Sequence, residues 1–227
     1  MNWQKYTPET TSRKRETIEW SIFYGYNATD LTTPRVLLIG DSICNGYQNA
    51  VRERLDGRVN VTFWASSKCV TDPDYFKELC YMLSAYPYAM VCFNNGLHSL
   101  GTDRPEWIAA YKAAVRCIRE TLPGVPLALT LSTPLKDARL TALSSELNGY
   151  VREIARAEGL PMIDLFSLMD VLDREEYWSD THHFRAPAIG MQADKIAAFV
   201  LDTLGLNDTA KTAAHAETAT GPSGSIK

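Results

Sequence analysis

The sequence predicts a doubly wound α/β domain, in which helices cover both faces of a parallel sheet. Three observations predict this fold class. Short and uninterrupted apolar runs recur along the chain, which is typical of strands buried on both faces. Stretches whose apolar residues have helical spacing separate these runs. The length of 227 residues suits one such domain, and no internal repeat or linker divides it.

Five apolar runs are the predicted strands, and the first of them stops at the turn Gly40-Asp41-Ser42. The five runs are Arg35–Ile39, Val59–Trp64, Tyr88–Phe93, Val125–Leu131 and Pro161–Leu165. The most regular helix is predicted after Pro187, a residue that fits the first turn of a helix. Its apolar positions are Ile189, Ala193, Ile196, Ala197, Val200 and Leu204.

Two terminal segments lie outside this alternation, so the predicted domain spans residues 35–206. Residues 1–34 contain the stretch Thr17–Tyr26, which is too aromatic to be left in water. We therefore expect this N-terminal arm to pack on the domain. Residues 207–227 are mostly Ala, Thr, Gly and Ser, which predicts a disordered tail.

Composition excludes several function classes. The net charge is −4, so no basic field is present to attract nucleic acid. No stretch is apolar for long enough to span a bilayer, and residues 1–6 lack the apolar segment of a signal peptide. We expect a monomer or small homo-oligomer without a cofactor or a membrane partner, either cytoplasmic or with a leader already removed.

The five cysteines are expected to be reduced thiols of the core. Most of them fall inside apolar runs, where cysteine behaves as a small hydrophobic residue. They are Cys44, Cys69, Cys80, Cys92 and Cys117. Cys44 and Cys69 both lie near the site described next, so these two could approach each other.

Polar residues that follow the predicted strands are the candidates for chemistry, because open parallel sheets bind ligands beyond the carboxyl ends of their strands. Ser42 follows the first strand at the start of a predicted helix. The positive end of that helix would stabilise an alkoxide or a developing oxyanion. The alternative is that Ser42 is only the N-cap of the helix.

A second candidate group precedes the last predicted helix, where Asp180 and His183 have the spacing Asp-x-x-His. On a loop, this spacing lets the carboxylate hold one imidazole nitrogen while the other nitrogen faces a nucleophile. A solvated polar loop would explain the same residues. A metal site of Asp180, His182 and His183 is less favoured, because adjacent histidines rarely point the same way and no further ligand cluster is present.

A third candidate group follows the third strand, as Asn94-Asn95-Gly96 and then His98. Asn94, Asn95 and His98 could each donate a hydrogen bond to a substrate oxyanion. A simple Asn-Asn-Gly turn is the structural alternative. The segment 65–68 after the second strand consists mostly of small residues, whose backbone amides can approach a ligand.

Gly-Asp-Ser after the first strand, together with Asp-x-x-His before the last helix, resembles the SGNH/GDSL hydrolase family from about Arg35 to Leu204. The resemblance implies a three-layer α/β/α sandwich with a central parallel sheet of about five strands. It also implies a serine esterase mechanism, in which Ser42 is the nucleophile and His183 the general base and acid. Asp180 would orient and stabilise the imidazole.

The chain departs from the family pattern in two blocks and so resembles a divergent branch with an Asn-Asn-Gly-Leu-His third block. Ser66 stands where the family's second block has a glycine that supplies an oxyanion N–H group. His98 stands where the third block has an asparagine donor. The resemblance therefore implies an oxyanion hole of Ser42, Ser66 and His98, with Asn94 as a competing donor.

The expected function is a serine hydrolase for a small-molecule or carbohydrate ester, most plausibly a carbohydrate O-acetylesterase. Candidate substrate-binding residues are Asp41, Asn95, Gly96 and His182, although Asp41 also fits a structural acceptor. Tyr47, Lys68, Trp178 and Arg185 could line the rim, although packing or solvated charge explains each as well. The alternatives are a lipase or lysophospholipase, an acyltransferase, and a catalytically silent carbohydrate-binding domain.

Overall fold

The computed structural model describes residues 2–207 of the chain. Six strands form its central sheet. They are β1 (Ser21–Gly25), β2 (Arg35–Gly40), β3 (Asn60–Ser66), β4 (Met90–Phe93), β5 (Leu127–Thr130) and β6 (Met162–Ile163). Their order across the sheet is β1-β3-β2-β4-β5-β6. The predicted tail, apart from residue 207, lies outside the described residues.

The sheet is parallel from β3 to β6, as predicted, and gains a sixth strand at one edge. That strand, β1, belongs to the aromatic stretch Thr17–Tyr26 and runs antiparallel to β3, with Tyr24 opposite Phe63. None of its five residues is fully buried. A short, half-exposed edge strand produces no continuous apolar run, so the periodicity did not reveal it.

Within residues 2–207, seven α-helices connect and cover these strands. They are α1 (Ser42–Leu55), α2 (Tyr75–Ser84), α3 (Arg104–Thr121), α4 (Ala138–Glu158), α5 (Leu165–Asp170), α6 (Arg174–Tyr177) and α7 (Ala186–Thr203). Across residues 2–207, none of the helices combines the length and apolar character needed to cross a membrane.

The core divides into two clusters, one on each face of the sheet, because successive strand residues point to opposite faces. On one face, Leu37 packs in the same cluster as Trp107 of α3, together with residues of α2 and α4. On the other face, Leu38 packs in the same cluster as Val200 of α7, together with residues of α1 and α5. The predicted three-layer α/β/α sandwich is therefore confirmed.

The five cysteines are free and buried. Cys44 and Cys69 belong to the clusters on opposite faces of the sheet, so the expectation that they could approach each other is wrong. A different pair, Cys80 and Cys117, has its sulfur atoms 3.7 Å apart. Burial raises the pKa of the Cys92 thiol to about 12, which keeps this thiol protonated and unreactive.

The N-terminal arm follows the surface of the domain towards the ends of β3 and β4. The Tyr6 ring stacks on Phe76 with centroids 6.0 Å apart. Further along, the Arg13 guanidinium is almost fully buried and pairs with the buried carboxylate of Asp72. The same guanidinium donates to the carbonyl oxygen of Ser67 at 2.7 Å, just beyond β3. These contacts hold the next residues of the arm beside the carboxyl ends of the strands.

Candidate active site

The turn from β2 into α1 presents Ser42. Gly40 makes this turn possible, because a Cβ on it would lie only 2.6 Å from the Cβ of Cys44. Asp41 is the N-cap of α1, since its Oδ1 accepts from the N–H of Ile43 at 2.9 Å. Ser42 is the first helical residue, so the alternative that it serves only as the cap is wrong. The predicted substrate contact of Asp41 is also wrong, because this carboxylate is buried in the cap.

The loop before α7 presents His183. Trp178 at its start is fully buried and packs on Phe184, with ring centroids 4.5 Å apart, so it does not belong to the rim. The N–H of Ser179 donates to the carbonyl oxygen of His183 at 2.9 Å and closes the loop. Asp180 Oδ1 accepts from the backbone N–H of His183 at 2.8 Å. The loop therefore holds the Asp180 carboxylate and the His183 ring in a defined relation.

Ser42, His183 and Asp180 are brought together, although 141 positions separate the serine from the histidine. His183 Nδ1 lies 2.8 Å from Asp180 Oδ2, and His183 Nε2 lies 2.9 Å from Ser42 Oγ. A carboxylate only accepts hydrogen bonds, so the proton of the neutral imidazole is held on Nδ1. The lone pair of Nε2 then faces the Ser42 hydroxyl, which is the arrangement that general-base catalysis requires.

The electrostatics of this group keep Asp180 ionised. Partial burial alone would raise the pKa of the Asp180 carboxyl. The backbone N–H groups of His183 and His182, together with the His183 ring, outweigh that effect and hold this pKa well below its usual value. An ionised Asp180 stabilises the imidazolium that forms when His183 takes a proton.

The N–H of Ser42 is available to an oxyanion. It lies in the first turn of α1, where helix N–H groups have no internal acceptor. The Asp41 cap satisfies the N–H of Ile43, whereas the N–H of Ser42 has no partner within residues 2–207. Ser42, one of the predicted oxyanion donors, therefore has an N–H that the structure leaves free at the start of α1.

Ser66 lies at the carboxyl end of β3, next to the end of β2. The register of the β2–β3 pair bonds the N–H of Asn60 to the carbonyl oxygen of Pro34. Six residues further along both strands, the same register turns the N–H of Ser66 towards the carbonyl oxygen of Gly40. The Ser66 hydroxyl donates to the carbonyl oxygen of Trp20 at 3.1 Å. The hydroxyl of Ser66 is therefore structural, whereas the donation of its N–H to an oxyanion stays a prediction.

Asn94 is also wrongly predicted as an oxyanion donor, because its side-chain N–H groups are already in use. Its Nδ2 donates to the carbonyl oxygen of Thr130 at 2.8 Å and to Ser132 Oγ at 3.0 Å. These bonds tie the end of β4 to the segment that follows β5. No N–H of the amide is left for a substrate.

Asn95 and Gly96 do not bind substrate as predicted, because both are buried and packed. Asn95 Nδ2 donates to the carbonyl oxygen of Lys68 at 2.8 Å, and its Oδ1 accepts from the N–H of Val70 at 3.1 Å. A Cβ on Gly96 would lie 1.9 Å from Ser132 Oγ, so this position admits only glycine. The Asn-Asn-Gly segment thus holds neighbouring loops together.

The sequence matches no protein-family model, and it matches no curated protein. Solved structures are similar in fold. A lipase/acylhydrolase from Enterococcus faecalis matches with a TM-score of 0.63 at 18% identity, over 75% of this chain and 97% of that one. A lipolytic protein of the G-D-S-L family from Veillonella parvula matches with a TM-score of 0.62 at 17% identity, over 75% of this chain and 99% of that one.

A third similar structure is a family two carbohydrate esterase from Clostridium thermocellum in complex with cellohexaose. It matches with a TM-score of 0.58 at 16% identity, over 76% of this chain and 65% of that one. The chain has the SGNH/GDSL hydrolase fold. In this fold, the Ser42 turn and the Asp180–His183 loop lie together at the carboxyl ends of the strands.

His98, the predicted third-block donor, pairs with a residue of the N-terminal arm. Its Nδ1 lies 2.6 Å from Oε1 of Glu16 in the arm, and its Nε2 has no partner among the described residues. The carboxylate holds the proton of a neutral imidazole on Nδ1. Nε2 of the neutral ring is then an acceptor, which argues against the predicted donation from this nitrogen to an oxyanion.

A cleft of about 420 Å³ opens beside Ser42. Its walls come from the hydrolase fold and from the arm. They are formed by Glu16, Trp20, Ser42, Leu97, His98, His182 and His183. The sequence analysis missed Glu16 and Trp20, since both precede the first predicted strand. The aromatic character of the stretch around Trp20 indicated packing, but nothing local showed that this stretch reaches the site.

A smaller depression of about 80 Å³ also borders Ser42 and His183. Apolar and small residues dominate its walls, which are Ser42, Ile43, Gly46, His183, Phe184, Ile189 and Gln192. Ser42 therefore borders both a large cleft with several polar lining residues and a small, mainly apolar depression. The two cavities differ in volume and in lining, so they provide separate spaces of the kind that the two halves of an ester need.

His182 lines the large cleft, so a substrate contact remains its predicted function. Partial burial lowers its pKa, and the neighbouring charge of His183 lowers it further, which favours the neutral ring. The rings of His182 and His183 are 6.2 Å apart with planes inclined by 56°. Among the described residues, no group of three or more His, Cys, Asp or Glu side chains is arranged around a common metal position.

Proposed function

We propose that this protein is a serine hydrolase of the SGNH/GDSL type that cleaves carboxylic esters through an acyl-serine intermediate. The observation that carries the proposal is the chain of two hydrogen bonds, 2.9 Å from His183 Nε2 to Ser42 Oγ and 2.8 Å from His183 Nδ1 to Asp180 Oδ2. The serine at one end of this chain stands at a helix N-terminus. The similarity in fold to lipases and carbohydrate esterases supports the same conclusion.

In the proposed reaction, Ser42 Oγ attacks the ester carbonyl while His183 Nε2 takes the hydroxyl proton. The negative charge that forms on the carbonyl oxygen is stabilised by the N–H of Ser42 and by the positive end of α1. The imidazolium then returns its proton to the leaving alcohol, and the acyl group stays on Ser42. Water, activated in the same way by His183, releases the acid and restores the serine.

The substrate class that we propose is an acetylated carbohydrate. The small depression beside Ser42 has room for a short acyl group, whereas the larger cleft suits a polar alcohol. The large cleft contains a carboxylate and imidazoles, which disfavour a long acyl chain. Trp20 adds an aromatic wall of the kind that sugar rings pack against. The cellohexaose complex of the Clostridium thermocellum esterase further supports a carbohydrate.

The experiment that tests the mechanism is labelling with a fluorophosphonate probe, read by intact mass. The parent protein should gain one adduct, and Ser42→Ala should gain none. Hydrolysis of p-nitrophenyl acetate should fall by about 10⁶-fold in Ser42→Ala, the scale found when a triad serine is removed. Ser145→Ala is the matched control, because Ser145 is exposed on α4 away from the site.

A parent protein that gains no adduct and releases no p-nitrophenol would contradict the proposal and favour the carbohydrate-binding domain. The acyl specificity is tested separately with p-nitrophenyl esters of increasing chain length. Faster turnover of the acetate than of the octanoate is expected. The reverse order would indicate a lipase.

A further inference from the structure

Glu16 and His98 form a second carboxylate–imidazole pair at the large cleft, outside the Ser42 group. Glu16 Oε1 lies 2.6 Å from His98 Nδ1, although the two residues are 82 positions apart. The rings of Trp20 and His98 pack edge to face, with centroids 6.0 Å apart, so Trp20 supports the imidazole from one side. Arg13 Nε donates to the carbonyl oxygen of His98 at 3.3 Å and braces its backbone.

The contacts of this pair determine which hydrogen-bonding group the imidazole of His98 presents to the cleft. Because Glu16 accepts the proton on Nδ1, the neutral ring presents a lone pair on Nε2. Nε2 has no partner among the described residues, and the ring lines the same cleft as Ser42. His98 Nε2 is thus a hydrogen-bond acceptor fixed in position at a cleft with several polar lining residues, and it is suited to bind a group that donates a hydrogen bond.

We propose that Glu16 and His98 form a subsite that binds a free hydroxyl of the substrate's alcohol half, next to the ester oxygen. His98 Nε2 accepts from that hydroxyl, and Glu16 fixes the tautomer that makes this possible. The proposal rests on the proposed esterase function and deepens it. It identifies the substrate class as monoesters of vicinal diols and polyols, in which a second hydroxyl lies beside the ester.

The same geometry argues against an oxyanion contact by His98. An oxyanion needs a donor, and the neutral ring has its only N–H directed at Glu16. A hydroxyl of the alcohol half stays uncharged throughout the reaction and can donate in every step. A site built to accept from a hydroxyl discriminates against the analogue that lacks it, because the acceptor is then left without a partner.

The test compares two acetates that differ only in the hydroxyl, trans-2-hydroxycyclohexyl acetate and cyclohexyl acetate. We expect the parent protein to prefer the hydroxylated acetate by about tenfold in kcat/KM, the factor expected for one hydrogen bond. In His98→Met this preference should fall to about one. In His98→Gln part of it should return, because Oε1 of glutamine can accept from a position close to that of Nε2.

Glu16→Gln should reduce the preference less than His98→Met does, since the amide can hold either tautomer. Glu9→Gln is the matched control, because Glu9 is an exposed carboxylate of the same arm. It should keep the preference of the parent protein. Thermal unfolding of each variant, followed by circular dichroism, separates loss of the subsite from loss of the fold.

Three results would overturn the subsite. The parent protein could show no preference, or His98→Met could keep the preference of the parent. Both acetates could also lose activity equally, by about 10²- to 10³-fold, which would identify His98 as an oxyanion donor. If the parent hydrolyses neither acetate and gains no fluorophosphonate adduct, the proposed function has failed, and the subsite fails with it.

Discussion

Two carboxylate–imidazole pairs face the same cleft, and they differ in what lies beyond the ring. In the Asp180–His183 pair, Nε2 lies 2.9 Å from the hydroxyl of Ser42. In the Glu16–His98 pair, Nε2 has no partner within residues 2–207. As we propose, the same two functional groups therefore serve a proton transfer in one case and the binding of a hydroxyl in the other. The neighbouring atom, and not the pair itself, decides the chemistry.

The two pairs also differ in how they are assembled. Asp180 and His183 are three positions apart on one loop, where the carboxylate also accepts from backbone N–H groups. Glu16 and His98 come from distant segments and meet because the arm is anchored at Arg13. A local pair is robust to changes elsewhere in the molecule, whereas a long-range pair depends on the packing that brings its halves together.

The largest expected effect comes from removing the charge of the local pair. Asp180→Asn should lower kcat on p-nitrophenyl acetate by about 10⁴-fold, because an amide can hold the imidazole in the wrong tautomer. Steady-state kinetics with intact-mass verification measures this effect. Glu16→Gln gives the comparison and should change kcat on the same ester far less. If Asp180→Asn keeps a tenth of the parent activity, Asp180 does not orient His183.

The next effect concerns the anchor of the long-range pair. Arg13→Met should lower the free energy of unfolding by about 3–5 kcal/mol, since it leaves the buried carboxylate of Asp72 without its partner. Urea denaturation measures the change. Arg15→Met is the matched control, because Arg15 and Asp74 are both about half exposed, and it should cost at most about 1 kcal/mol.

An equal cost for the two arginine variants would mean that the arm is not anchored at Arg13. A second measurement on Arg13→Met uses the two acetates that test the subsite. If Arg13→Met remains folded, it should also lose preference for the hydroxylated acetate, while the labelling of Ser42 by the fluorophosphonate persists.

The smallest effect concerns the small depression beside Ser42 that Gly46 and Phe184 help to line. Gly46→Leu should lower the ratio of p-nitrophenyl butyrate to acetate hydrolysis by about tenfold, the lower end of the range expected when a pocket is too small by a methylene group. A Cβ on Gly46 meets no other atom within 4 Å, so the side chain can enter this space without disturbing the core.

Gly149→Leu is the control for Gly46→Leu, because Gly149 is a helical glycine on α4 with the same open surroundings. It should leave the ratio of butyrate to acetate hydrolysis as it is in the parent. An unchanged ratio in Gly46→Leu would mean that the acyl group occupies the large cleft instead.

Local patterns in the sequence predicted the parallel sheet and the helix that begins at Ser42, because periodicity and turn residues act within a few positions. For the same reason, local spacing also predicted that Asp180 and His183 lie on one loop. The family resemblance added the expectation that this loop meets Ser42. Local patterns did not reveal β1, whose half-exposed residues form no apolar run.

The misassigned residues share one cause. Asn94 and Asn95 are polar residues at a strand end, and sequence alone cannot tell whether such a group is free. In the folded chain, Asn94 donates to Thr130 and Ser132, and Asn95 donates to Lys68. A buried amide takes the partners that the neighbouring loops supply, and those loops are far away along the chain.

The sequence by itself determined the α/β layers, the serine at a helix N-terminus and the local Asp-x-x-His pair, since each depends on short-range periodicity or spacing. Only the tertiary structure decided which polar groups remain available at the cleft. It also decided that Glu16 of the arm holds the proton on Nδ1 of His98. Hydrogen-bond partners across tens of residues are chosen by packing, because the great majority of buried donors and acceptors find a partner when the chain folds.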